Sequence, residues 1–152
     1  MANKEDILAE LAQLREQHGT LRAEDVLEFA KDENTALHAE FEWDDTEAAR
    51  QHRLAQARKI IRINVQVIPT ARGNVTVPVY VSLSSDRIQP GGGYRRLEDV
   101  MNDSKLRNEF LAQALAEFER VRRKYQNLQE LSPIFAAIER VTLQHAQQPV
   151  AT

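Results

Sequence analysis

Acidic side chains and two histidines surround Trp43, the only tryptophan of this 152-residue chain. The residues concerned are His38, Glu40, Glu42, Asp44, Asp45 and His52. Carboxylates and imidazoles bind metals, but the segment has neither two histidines four residues apart nor the spacing of an EF-hand loop. Carboxylates that precede a helix also stabilise the positive end of its dipole. We therefore predict no metal site in this segment.

Three consecutive glycines, Gly91 to Gly93, form the glycine cluster of the sequence. A phosphate-binding loop would add a Lys-Ser/Thr pair or the G-x-G-x-x-G spacing, and the sequence has neither. The serines lie outside any G-x-S-x-G turn, and the chain has no cysteine that could act as a nucleophile. The sequence thus predicts no catalytic residue, no cofactor and no enzymatic activity.

Basic and polar side chains on a predicted third helix, and one on the turn that follows it, are candidate contacts to duplex DNA. They are Arg50, Arg53, Gln56, Lys59, Arg62 and Arg72. Arginine can bind guanine through two hydrogen bonds, and lysine binds phosphate. Helices near residues 23–31, 36–41 and 46–62, followed by two strands, have the element order of a winged helix-turn-helix. In that arrangement the third helix enters the major groove and the hairpin is the wing.

The distribution of charge leaves an alternative open. Residues 1–47 contain 4 Lys and Arg against 14 Asp and Glu, whereas residues 48–152 contain 16 against 9, in a chain of net charge −3. The arginines of the third helix could pair with the acidic segment at residues 40–47, which would also repel phosphate. The alternative is a protein–protein adaptor or assembly component, whose acidic third and basic remainder contact partners or each other.

Apolar periodicity predicts an α+β fold in a single domain, residues 1–152, with ordinary globular proportions of 42% hydrophobic and 28% charged residues. The first helix should span about residues 4–17. Asp44 and Glu47 are expected to cap the third helix at its start. Two strands, at about residues 63–68 and 75–83, should form one β-hairpin, with Pro78 on an edge strand. The glycine-rich residues 84–94 are expected to be a flexible internal boundary.

A long helix is predicted at about residues 104–128, followed by a last helix that begins at Ser132-Pro133. The long helix would measure about 37 Å, which exceeds the width of so small a domain. Its apolar side therefore predicts a homo-oligomer. The residues expected at the oligomer interface are Leu111, Leu115, Phe118, Val121 and Tyr125.

Trp43 is predicted to be structural, because a large aromatic ring at this point would attach the acidic segment to the third helix. Removal of a largely buried ring costs about 3–5 kcal/mol. The sequence contains no run of about 18 apolar residues and no export signal, which predicts a cytoplasmic protein without a membrane contact.

The segment from His38 to Asp45, His-Ala-Glu-Phe-Glu-Trp-Asp-Asp, resembles small proteins encoded in bacteriophages and prophages and without an assigned activity. The resemblance covers about residues 20–65 and 94–142, and includes the Arg123-Lys124-Tyr125 segment of the long helix. It implies a bacterial host and a phage-related role, without catalytic residues. Together with the basic helix, it suggests association with DNA or the DNA-processing machinery. The alternative is a virion-assembly protein or an adaptor that binds a phage or host protein.

Overall fold

The computed structural model describes residues 2–43 and 46–148, in which helices at both ends flank a region that contains all the short strands of these residues. The fold class is α+β, as predicted. The chain divides into two compact units, Met1–Glu98 and Asp99–Thr152. The division falls within a short helix, α5, at Leu97–Asn102. The single domain with an internal boundary near residues 84–94 stays a prediction.

Capping residues set the ends of the helices in the N-terminal unit. The elements are α1 at Lys4–His18, α2 at Ala23–Phe29, a 3₁₀ turn at Leu37–Glu40 and α3 at Glu47–Ile63. The Asn3 side chain accepts a hydrogen bond from the Glu5 amide, and Gly19 ends α1 with a φ of 78°. Thr46 caps α3 by accepting a hydrogen bond from the Ala49 amide at 3.1 Å. The predicted cap, Asp44, lies outside the described residues.

The core of this unit is mainly aliphatic, draws side chains from all four helical elements and the segments between them, and includes the aromatic rings of Phe41 and Tyr80. Its fully buried members include Leu11, Leu21, Val26, Leu37 and Ile61. One charged side chain also reaches this core: Glu10 accepts hydrogen bonds from the amides of Ala36 and Leu37 at 2.7 and 2.9 Å. The carboxylate thereby binds two amides at the start of the 3₁₀ turn, which would otherwise lack partners.

The strands form two separate antiparallel pairs instead of one hairpin. β1 at Val65–Thr70 pairs with β2 at Gly73–Pro78, and β3 at Tyr80–Val81 pairs with β4 at Arg95–Arg96. The predicted second strand, residues 75–83, is therefore divided between the two sheets. Pro78 lies on an edge, as predicted, because each sheet contains two strands.

Residues 84–94, which the glycines predicted to be flexible, contain regular structure and long-range hydrogen bonds. A single helical turn, α4, occupies Ser84–Arg87. Leu21 and Tyr94 exchange two backbone hydrogen bonds of 2.9 and 2.7 Å, and the Arg22 guanidinium donates to the Pro90 carbonyl at 2.8 Å. Gly91 lies so close that a Cβ there would be 2.5 Å from the Arg22 guanidinium. The glycine therefore permits a close approach in this loop.

The C-terminal unit is helical. It contains α6 at Ser104–Tyr125, a 3₁₀ turn at Gln129–Leu131 and α7 at Ser132–Gln147. Asp103 caps α6, and its side chain accepts a hydrogen bond from the Leu106 amide at 3.0 Å. With 22 residues, α6 is about 33 Å long, somewhat shorter than predicted. Pro133 stands at the first turn of α7, as its sequence indicated.

Candidate interaction surfaces

The six candidate DNA contacts do not share one surface. Arg53 and Arg62 are nine positions apart on α3, which places them about 180° apart around the helix axis. Arg50 and Arg53 face α2, where they line an open cleft of about 600 Å³ together with the acidic side chains of Glu24, Asp25 and Glu28. Lys31 also lines the cleft, so its three carboxylates are matched by three cations and the cleft has no excess of positive charge to attract phosphate.

Arg53 is engaged within the N-terminal unit. Its guanidinium carbon lies 5.4 Å from the centre of the Trp43 ring, and its Nη1 donates a hydrogen bond to the Glu42 carbonyl at 3.2 Å. Gln56 is half-buried on the same side of α3, and its Oε1 is enclosed by protein. Both side chains are thus partly covered by the protein itself, and a role for them as DNA contacts stays a prediction.

Three cations remain exposed on the opposite side of α3. Lys59 and Arg62 were predicted contacts, and Arg58 stands beside them. In the described part of the chain none of the three takes part in an ion pair or a side-chain hydrogen bond. Of the predicted contacts on α3, Lys59 and Arg62 are therefore the exposed cations that could bind phosphate, and Arg58 adds a third charge beside them.

Arg72 lies exposed at the tip of the β1–β2 hairpin, as predicted. It is the only charged residue between Arg62 and Asp86 in the sequence. A wing that follows the DNA backbone needs several cations, because each contacted phosphate is neutralised by one. The hairpin therefore has the position of a wing but not its charge.

Trp43 is less buried than predicted, with 39% of its surface exposed. Its ring stacks on His38, with centroids 4.9 Å apart and an angle of 12°, and it lies 5.7 Å from Phe41. The indole N–H donates to the His38 carbonyl at 3.3 Å. The estimate of 3–5 kcal/mol for loss of the ring assumed nearly complete burial and does not apply. Trp43 thus joins His38 and Arg53 at an accessible rim of the cleft.

The acidic and histidine cluster around Trp43 forms no metal site in the region that can be described. Within residues 2–43 and 46–148, no three His, Asp or Glu side chains are placed to hold a metal ion. Asp44 and Asp45 lie outside these ranges. The His38 ring is held by a 2.8 Å contact between its Nδ1 and the Ala30 carbonyl, which fixes the surface on which Trp43 stacks.

The C-terminal helices present a large apolar surface. Four of the five residues predicted at an oligomer interface are exposed, by 38% to 48%: Leu111, Phe118, Val121 and Tyr125. Leu115 is the one buried residue of α6 among those described, and the described side chains of α7 include none that is buried. Helix α7 adds Ile134, Val141 and Leu143 to this exposed apolar surface. Exposed apolar side chains grouped in this way are typical of protein interaction surfaces.

A polar group interrupts the apolar side of α6. Arg122 donates two hydrogen bonds to Glu119, at 2.6 and 2.8 Å, and these bonds lower the pKa of Glu119 to about 2. The interaction is therefore complete above the ordinary carboxyl pKa of 4.5 and is lost as the pH falls toward 2. Glu119 also forms an ion pair with Arg123, whose Nε lies 3.4 Å from Glu119 Oε1. These charges lie near the end of α6 that precedes the turn to α7.

Among the described residues, no helix combines the length and the apolarity needed to cross a membrane. Comparison of the chain with protein-family models, with curated proteins and with solved structures gave no significant match.

Proposed function

We propose that this protein is a non-enzymatic, phage-type assembly or adaptor protein of the bacterial cytoplasm, which functions as a homo-oligomer formed by its C-terminal helices. The supporting observation is the exposed apolar surface of α6 and α7. A helical hairpin of this length cannot enclose its own apolar residues. Oligomerisation would remove this surface from water, at about 25 cal/mol for each Å² of apolar area.

A second copy is the partner that the residue pattern favours. On α6, Leu111, Leu115, Phe118 and Tyr125 recur at the spacing of a coiled-coil seam, and on α7 Ile134, Ile138 and Val141 recur in the same way. Two such helical hairpins can pack as a four-helix bundle around a twofold axis. Each copy would then cover the surface that the other leaves exposed.

Phe118→Glu tests this proposal, with Ala116→Glu as its matched control. Ala116 is exposed on the same helix but outside the seam, and both changes introduce one glutamate. The wild type and Ala116→Glu should give a mass that is a multiple of 17.4 kDa in sedimentation or light scattering. A buried charge in place of a central aromatic residue should weaken association roughly 100-fold and give the monomer.

Two outcomes would contradict the proposal. One is a monomeric wild type over a hundredfold range of micromolar concentration. The other is an equal response of the association constant to both glutamate substitutions, because the seam would then have no special role. Circular dichroism on each variant should show unchanged helix content, since both positions are exposed in the chain itself.

DNA association, the leading hypothesis from the sequence, becomes the second candidate because its candidate contacts on α3 do not share one side of the helix: Arg53 and Arg62 lie about 180° apart around the helix axis. The observation that still favours it is the exposed group Arg58, Lys59 and Arg62 on α3, for which residues 2–43 and 46–148 provide no ion pair or side-chain hydrogen bond. Cations in this state can each release a counterion when they bind phosphate.

The double variant Lys59→Ala/Arg62→Ala tests the DNA candidate by fluorescence anisotropy with a labelled duplex. Loss of two phosphate contacts should reduce the slope of log K against log salt by about two. The control, Lys105→Ala/Arg107→Ala, removes the same charge from exposed positions in the C-terminal unit. Absence of wild-type binding at low salt, or an equal effect of the two double variants, would rule out DNA contact through α3.

A further inference from the structure

One position of the seam on α6 carries a charge. Leu111, Leu115 and Phe118 follow one another at intervals of four and three residues, and Tyr125 lies seven residues beyond Phe118. The alternation of four and three assigns the position between Phe118 and Tyr125 to Arg122. The other four positions of this seam are leucine or aromatic residues. Arg122 therefore replaces an apolar residue at a point where the helices of a coiled coil pack together.

The Arg122 side chain is held in place beside apolar residues. It is 39% exposed, and its Nε and Nη2 donate to the two carboxylate oxygens of Glu119 at 2.8 and 2.6 Å. Hydrogen bonding to Glu119 and the negative charge of Glu139 on α7 both raise the pKa of Arg122 above its usual value. The three side chains line an open cavity of about 670 Å³ between α6 and α7, together with Phe135 and Ile138. We call Glu119, Arg122 and Glu139 the polar layer.

A polar layer in the core of a helical bundle disfavours most ways of packing the helices. An ion pair that is removed from water is costly unless its own hydrogen bonds stay intact and no charge is left without a partner. An entirely apolar seam lacks this restriction, because one apolar residue can take the place of another. A single polar residue at a seam position therefore sets the register and the number of helices of a coiled coil, at a cost in stability.

We infer that the polar layer restricts the oligomer to one register and one number of copies. The inference rests on the proposed function, because the layer has this effect only where a second helical hairpin covers it. Each copy supplies the guanidinium of Arg122 together with its own carboxylates, so two layers related by a twofold axis can meet without an unpaired cation. A shifted register would instead place the guanidinium against apolar residues of the other copy, where its charge is poorly compensated.

The double variant Glu119→Leu/Arg122→Leu tests this inference by analytical ultracentrifugation of the full chain. The wild type should give one oligomer whose mass is a multiple of 17.4 kDa. Replacing both charges leaves no unpaired ion and extends the apolar seam, so the variant should associate about tenfold more tightly and form more than one oligomer. The matched control is Glu117→Leu/Arg120→Leu, which changes the same residue types at the same spacing at exposed positions of α6 outside the seam. It should keep the mass and the association constant of the wild type.

A second variant, Arg122→Met, decides the test if circular dichroism shows that the double leucine variant has lost helix content. Methionine resembles the unbranched stem of arginine, and Glu119 keeps its ion pair with Arg123 at 3.4 Å. This variant should also form more than one oligomer.

The masses separate the failure of this inference from that of the proposed function. The inference is wrong, and the helical oligomer stands, if the wild type is a mixture of oligomers or if the folded layer variants keep its single mass. The same holds if the control variant also forms a mixture, because added leucine anywhere on α6 would then have this effect. A monomeric wild type would show that both are wrong.

Discussion

Replacement of Asp86 with alanine should lower the free energy of unfolding of the N-terminal unit by about 2–3 kcal/mol. The Asp86 side chain is only 7% exposed, and it forms a 2.8 Å ion pair with Arg95. It also accepts two 3.0 Å hydrogen bonds from Arg95 Nε and one of 3.2 Å from the Leu83 amide. Loss of the carboxylate leaves the Leu83 amide and a guanidinium without this partner. The expected loss is at or below the lower limit of the about 3–5 kcal/mol typical of a broken buried pair, because the Arg95 side chain is 33% exposed and can be partly hydrated.

The reverse substitution, Arg95→Ala, should be more destabilising than Asp86→Ala, because it leaves the more deeply buried carboxylate without its cation. The double variant should be less destabilised than the sum of the two single variants, since both remove the same interaction. Denaturant unfolding followed by circular dichroism measures all three, and Asp6→Ala, an exposed aspartate of α1, is the control. An unfolding free energy of Asp86→Ala equal to that of the control would show that the ion pair contributes no net stability.

Leu37→Ala should cost about 2–5 kcal/mol, the range for removal of a fully buried leucine side chain. Leu37 has no exposed surface, although it lies in a four-residue 3₁₀ turn between two helices. The two amides bound by Glu10 hold this turn in place, so the surrounding chain has little freedom to collapse into the cavity. Ile88→Ala is the control, because that side chain is 81% exposed and its truncation should be nearly neutral.

Denaturant unfolding also measures the loss of stability expected for Leu37→Ala. A shift in the denaturation midpoint with an unchanged m-value would show a loss of stability within the same native fold. Near-wild-type stability of Leu37→Ala would contradict the burial of this residue. The Trp43 fluorescence should report on the same region, because His38, on which its ring stacks, directly follows Leu37 in the turn.

Helices that carry both a periodic pattern and local end signals were predictable from the sequence. The first helix ends at His18, one residue beyond the prediction, because Asn3 and Gly19 act through their own backbone neighbours. The second pair of strands was not predictable. β3 and β4 contain two residues each, too few to show an alternating pattern, and they meet across the glycine-rich loop. The Asp86–Arg95 ion pair depends on the same pairing of β4 with β3, because Arg95 belongs to β4.

The candidate DNA surface was the least predictable feature, since residue type does not reveal which side of a helix is covered. One signal was available for Arg53, which precedes Ala57 by four positions and Ile60 by seven. Such spacing places it beside the buried side of α3, where Leu54, Ala57, Ile60 and Ile61 lie. The position of Trp43 depends on contacts with His38 and Arg53, which no local pattern encodes. By contrast, the apolar spacing of α6 indicated which side chains share one side, and four of the five predicted interface residues are exposed there, whereas Leu115 is buried; the interface itself stays a prediction.

The hydrogen bonds between the residues that precede α2 and the glycine-rich loop affect the order in which the N-terminal unit can fold during synthesis on the ribosome. The bond from Arg22 to Pro90 connects residues 68 positions apart, and Leu21 exchanges its backbone bonds with Tyr94. Loops of this length close slowly and delay folding, because their entropy is lost before the contact is gained. The contacts of Leu21 and Arg22 therefore form only after Pro90 and Tyr94 have been synthesised, well after α1 and α2. Truncation before Pro90 should leave α2 without these anchors and lower the stability of the N-terminal unit.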